Sequence, residues 1–170
     1  PLPEKIRILL RKIANQNDNP TSEDCTRFCE IHYIKTTIVT DGIQKVYLME
    51  IDFILLESRI IQMKDELLNI INRKTKSYYY DFAIKPGYYG LQGLNIISSI
   101  LSDLFLYTNC LMNNLIYSKS PVDYILEVLV PETALCLISQ DKGNITLEDA
   151  RKIMEDSSAF GDYMYANLEN

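Results

Sequence analysis

The sequence predicts an all-α fold: a mainly helical single domain of six or seven helices. Three observations carry this. Apolar residues recur at three- and four-residue spacing through most of the chain, the period of a helix face. Only 6 Gly and 6 Pro occur in 170 residues, too few for the regular turns of a β fold. Capping residues stand directly in front of several apolar runs. Apolar residues make up 47% and charged residues 24%, a globular balance that excludes wholesale disorder. No apolar run reaches the roughly 18 residues a membrane span needs.

Taken in order, residues 4–14 place Ile6, Leu9, Leu10 and Ile13 on one helical face. The polar run 15–20 stops that helix. It sets a boundary between a basic first helix with its linker (1–20) and the helical domain proper (21–170). Thr21 or Ser22 then caps a helix whose first turn holds Glu23 and Asp24. Cys25, Phe28, Cys29 and His32 share one face of it, and the plain expectation is a buried face with one hydrogen-bonded histidine. Residues 36–48 carry β-branched runs on either side of Asp41-Gly42, a hairpin signal, with an irregular loop as the alternative.

Residues 52–72 form the clearest element. Phe53, Leu56, Ile60, Met63, Leu67 and Ile70 are spaced 3-4-3-4-3, and Ile54, Ile61 and Leu68 widen the stripe. Residues 77–93 read as a loop with five tyrosines and three of the chain's glycines. A long helix is expected from about 92 to 117. Ser120-Pro121-Val122-Asp123 opens the next one, with Ser at the N-cap and Pro in the first turn. Pro131 should kink that run, or end one helix and open another. A turn around Gly143 follows. Thr146 and Asp149 then cap a helix to about Ser157, and a last helical turn spans 158–165.

Net charge is −6, unevenly spread. Lys5, Arg7, Arg11 and Lys12 against Glu4 give the first twelve residues a charge of +3, so the remainder sums to −9. So acidic a body is a poor nucleic-acid binder, because neutralising phosphates supplies most of that affinity. The basic first helix is the one segment suited to it, or to a protein partner. The four cysteines, Cys25, Cys29, Cys110 and Cys136, lie within apolar helical patterns, as small hydrophobes do. With no signal peptide visible, a reducing compartment fits best. The chain begins with Pro1, so a fragment of a longer protein is expected.

Few residues point to chemistry. Cys25-x3-Cys29-x2-His32 is the only cluster of soft ligands, and zinc would need Cys110 or Cys136 to close the site. His32 is the only histidine, so nearly all His-dependent mechanisms hang on it. No phosphate-loop, dinucleotide or nucleophile-elbow motif occurs. Gly87, Gly90 and Gly93 follow no predicted strand and precede no basic residue, so they serve turns and close packing sooner than a phosphate.

Several motifs occur in a fixed order. They are Phe28-Cys29-x-x-His32, Ile51-Asp52-Phe53 with Ser58-Arg59-Ile60, and Gly87-Tyr88-Tyr89-Gly90-x-x-Gly93. After them come Val130-Pro131-Glu132 through Leu137-Ile138 and Asp141, then Ala150-Arg151-x-Ile153 with Ser157-Ser158 and Gly161. In this the chain resembles the C-terminal domain of the fungal restriction of telomere capping protein family, from about residue 22 to 165. The stretch 36–50 departs from that pattern.

The resemblance implies a nuclear and cytoplasmic fungal protein tied to telomere-end protection, with no established catalysis and no cofactor. The expected function is a non-catalytic protein-interaction domain. Its partners would be proteins, a second copy of itself among them, with no membrane and no direct nucleic-acid contact. Candidate binding residues are Gly87, Tyr88, Tyr89, Gly90 and Gly93, with Lys5, Arg7, Arg11 and Lys12. One of the two adjacent tyrosines should pack inward and the other lie at the surface. Cys29, His32, Pro131, Glu132 and Arg151 are expected to be structural, Arg151 as the partner of Glu132 by the family pattern. The alternatives are a metal-binding or thiol-dependent enzyme domain using Cys25, Cys29 and His32, and nucleic-acid binding through the first helix.

Overall fold

The computed structural model describes residues 7, 8, 10, 11, 14, 21–77, 87–108, 111 and 120–166. They are helical with turns, and no strand occurs among them. Counted through the π turns that join neighbours, the described chain from Ser22 onward makes seven continuous helical segments. Contacts divide the chain into two units, Pro1–Tyr47 and Leu48–Asn170. Residues 21–47 fall in the first of these.

In the first unit, the described residues 7, 8, 10, 11 and 14 are helical and exposed. Helix Ser22–Tyr33 begins on Thr21, whose Oγ1 accepts from Asp24 N–H at 3.1 Å. None of its residues is buried, so the expected buried Cys25/Phe28/Cys29/His32 face is corrected. Both cysteines and His32 are exposed, and His32 stacks on Phe28 with ring centroids 6.0 Å apart.

The expected hairpin over 36–48 is also corrected. The backbone continues through a π turn, Ile34–Ile38, into helix Val39–Gln44. Such a hairpin turn needs positive φ at Asp41-Gly42, but the left-handed residue is Val46, at φ 57°. There Val46 N–H reaches Ile43 O at 3.0 Å and Tyr47 N–H reaches Gly42 O at 2.8 Å, closing the helix end.

In the second unit the expected 52–72 helix is two, Ile54–Gln62 and Lys64–Ile71, joined at Met63. Leu56, Ile60, Met63 and Leu67 are buried as the stripe requires. The widening residues are not: Ile54 is 88% and Ile61 47% exposed. The next helix starts earlier than expected. A 3₁₀ turn, Gly87–Tyr89, leads into helix Gly90–Leu101 and a π turn, Ser102–Leu106. Residues 78–86, most of the tyrosine-rich loop, lie outside the described residues, as do 109, 110 and 112–119.

Pro131 neither ends nor restarts its helix. Ser120 caps helix Pro121–Tyr124, a π turn spans Ile125–Leu129, and helix Val130–Asp141 follows without a break. Val130 N–H bonds Ile125 O, five residues back. The wide turn falls just before the proline, which has no N–H to place and whose ring would crowd a regular turn.

Helix Val130–Asp141 is the centre of the unit. Val130 to Leu135, Leu137 and Ile138 are all buried, the mark of a helix covered all round. It packs against helix Leu147–Asp156 and helix Gly90–Leu101. Helix Ser158–Met164 lies on the Gly87–Tyr89 turn and the helix behind it. Ser77 Oγ donates to the buried Glu132 carboxylate at 2.6 Å. The partner expected for Glu132, Arg151, pairs instead with Glu155 at 2.8 Å on an exposed helix face.

Candidate functional site

Of the residues singled out in the sequence, the Gly87-to-Gly93 motif lies where helix Ile54–Gln62 and the C-terminal end of helix Val130–Asp141 meet it. Arg59 projects from the first of these helices, one residue short of the buried Ile60. Its Nη2 lies 2.9 Å from Asp141 Oδ1 and donates to Leu137 O at 3.1 Å and to Gln140 Oε1 at 3.0 Å. Its Nε donates to the same Gln140 oxygen at 3.2 Å. A cation at a helix C-terminus meets the negative end of the dipole, and a carbonyl in the last turn has a second lone pair with which to accept it.

The other Asp141 oxygen, Oδ2, accepts the Tyr89 hydroxyl at 2.6 Å. Tyr89 is wholly buried, and burial first, then the Asp141 charge, pushes its phenol far above the ordinary range. The proton stays on the phenol at every physiological pH. A general acid or base works best with a pKa near the working pH, so this phenol is placed to hold a proton, not to move one.

Tyr88 and Tyr165 grip one residue between them. Leu48 N–H donates to the Tyr88 hydroxyl oxygen at 3.3 Å, and the Tyr165 hydroxyl donates to Leu48 O at 2.6 Å. Burial also raises the Tyr165 phenol. The Tyr88 ring meets Tyr89 edge-on at 5.2 Å, and Lys142 Nζ stands 5.9 Å over its face. Partial burial lowers the Lys142 ammonium pKa, against an opposing pull from Asp141. Phe53 closes on Tyr165 edge-on at 5.6 Å.

Glycine makes this closeness achievable. A Cβ on Gly161 would collide with the Gly87 carbonyl oxygen, and one on Gly90 with the Gly161 carbonyl oxygen. Gly90 also sits at φ 59°, which side chains rarely adopt. Backbone thus touches backbone, and Gln92 N–H bonds Tyr165 O at 3.0 Å across the same seam.

Gly87, Tyr88, Tyr89, Gly90 and Gly93 are therefore all buried. The expected split, one tyrosine in and one out, is corrected: Tyr88 is 1% and Tyr89 0% exposed. Two hydroxyls with internal partners leave no reason for either ring to face solvent. Pro131 and Glu132 are buried too, whereas Arg151 is on the surface. Arg7 and Arg11 are exposed on helical residues, and Lys5 and Lys12 lie outside the described residues. Cys25, Cys29 and His32 belong to the first unit.

Arg59, Gln140, Asp141, Gly161 and Tyr165 complete the arrangement, yet none was among the predicted site residues. A signal existed for Arg59, a charge set between the buried stripe positions Leu56 and Ile60. Asp141 offered less, because an acid at a helix end reads as a turn.

A family model for the RTC4-like domain matches residues 57–166, well over half of the chain. The chain belongs to that family. The RTC4-like domain is part of a telomere-capping-related family. Neither a curated protein nor a solved structure matches the chain. The matched span lies inside the second unit and starts later than the resemblance suggested. Phe28-Cys29-x-x-His32 and Ile51-Asp52-Phe53 precede it, and so does the departing stretch 36–50. The Arg59–Asp141–Tyr89 network and its glycine seam fall wholly within the RTC4-like domain.

Proposed function

We propose that this RTC4-like domain is a non-catalytic protein-interaction module of a fungal protein that works in the nucleus and cytoplasm in telomere capping. One observation carries the reading. The motif residues are spent on internal contacts, the Tyr89 proton held by Asp141 and the Asp141 charge by Arg59. The domain also carries apolar side chains outward: Ile54, Leu55 and Ile61 stand exposed on the helix that carries Arg59. A rigid scaffold under exposed apolar side chains suits protein recognition, where such residues anchor contacts. The partners are proteins, and self-association is one form this takes. The acidic body argues against nucleic acid. Among the described residues no helix is long and apolar enough to cross a membrane.

The test is affinity capture from a fungal extract with the chain as bait, beside an Ile54→Asp/Ile61→Asp variant. Both positions are exposed, so the variant should keep its melting temperature and lose specific partners. Capture that the variant leaves unchanged contradicts the reading. So does tight binding of telomeric single strands by the unaltered chain at physiological salt.

A further inference from the structure

Cys25 and Cys29 are free, exposed and one turn apart on helix Ser22–Tyr33. Residues four apart on a helix have Cβ atoms about 5–6 Å apart on one face. Two thiolates so placed reach a single ion at the about 2.3 Å of a zinc–sulfur bond. His32 cannot join them. It lies seven residues from Cys25, about 10 Å along the axis, too far for one ion to reach from both ends. In keeping with this, no group of three or more His, Cys, Asp or Glu able to hold a metal occurs among the described residues. Cys110 lies outside the described residues, and among the described ones a single chain offers half a site.

The turn that carries the pair is open to solvent, since no residue of helix Ser22–Tyr33 is buried.

We propose that Cys25 and Cys29 form half of a four-thiolate zinc site, completed by the same pair from a second copy of the chain. Zinc prefers four ligands in a tetrahedron, and a two-fold axis through the ion supplies two from each copy. The four thiols lose four protons as one Zn²⁺ binds, and no electron moves. The ion staples each helix across one turn and joins the two copies.

The experiment uses the full chain, reduced and stripped of metal, titrated with Zn²⁺ alone and, in a separate metal-free sample, with Co²⁺ alone. The expected result is one zinc per two chains, a zinc-dependent dimer that a chelator dissolves, and intense thiolate-to-cobalt absorption. Cys25→Ser and Cys29→Ser should each abolish stoichiometric zinc and the dimer, with the helical circular dichroism retained. His32→Asn should change neither. The cobalt spectrum of the unaltered chain decides the ligand type even if a variant folds poorly. No retained zinc, one zinc per chain, loss of zinc in His32→Asn, or a metal-free dimer dissolved by reductant would each overturn the proposal.

Discussion

Removing the Tyr89 hydroxyl leaves the Asp141 carboxylate, whose side chain is only 11% exposed, without a donor it now has. Tyr89→Phe should therefore lower stability by about 1–3 kcal/mol in urea unfolding, the usual cost of stranding a buried polar group. The same phenol gives a pH signature. The folded-state pKa values of Tyr89 and Tyr165 are raised by burial, whereas unfolded phenols titrate near about 10. Their contribution is whole below that pH and is lost above it, as the unfolded state sheds protons first. Stability should fall as pH rises past about 10, and Tyr89→Phe should flatten that fall. Cys136, raised to about 11, adds to the slope from a lower pH. Glycine gives a paired test. Gly161→Ala drives a methyl group into the Gly87 carbonyl and should cost at least about 1–3 kcal/mol. Gly143 has open space where its Cβ would lie, so Gly143→Ala meets only the strain of φ 82°, roughly 1 kcal/mol, in the same unfolding assay.

At the scale of elements, caps and stripes were legible and junctions were not. Thr146 accepts from Asp149 N–H at 3.1 Å, as the pattern Thr146 to Asp149 foretold. Thr146→Ala should cost about 0.5–2 kcal/mol in thermal or urea unfolding. The stripe through Leu56, Ile60, Met63 and Leu67 was equally readable, because a period shows in the chain itself. Three π turns were not, since each inserts a register shift that no local residue type announces. The Asp41-Gly42 hairpin signal failed for a related reason. Gly42 is buried in a helix, and the reversal falls on Val46, a β-branched residue that left-handed backbone strains. Val46→Gly should then stabilise the first unit by about 1 kcal/mol, read from its melting transition.

For the whole molecule, the helical class was legible in composition and period, while the division into units was not. The polar run 15–20 looks like a boundary by composition, but contacts group everything to Tyr47 together. The candidate site was half legible. The Gly-Tyr-Tyr-Gly motif named its centre, but its burial depends on Arg59 and Asp141, which are 82 residues apart and meet only in the fold. A fragment spanning 48–170 holds the matched family span and the whole network, and should unfold cooperatively on its own in urea. The account rests on that network being a structural fastener, which a double-mutant cycle in the full chain tests most directly. Tyr89→Phe, Asp141→Ala and the pair should be compared by urea unfolding. The account predicts that both single variants are destabilised and that the pair falls short of their sum by about 0.5–3 kcal/mol, as for groups in direct contact. Additive effects, or a Tyr89→Phe chain as stable as the unaltered one that has lost its protein partners, would contradict it.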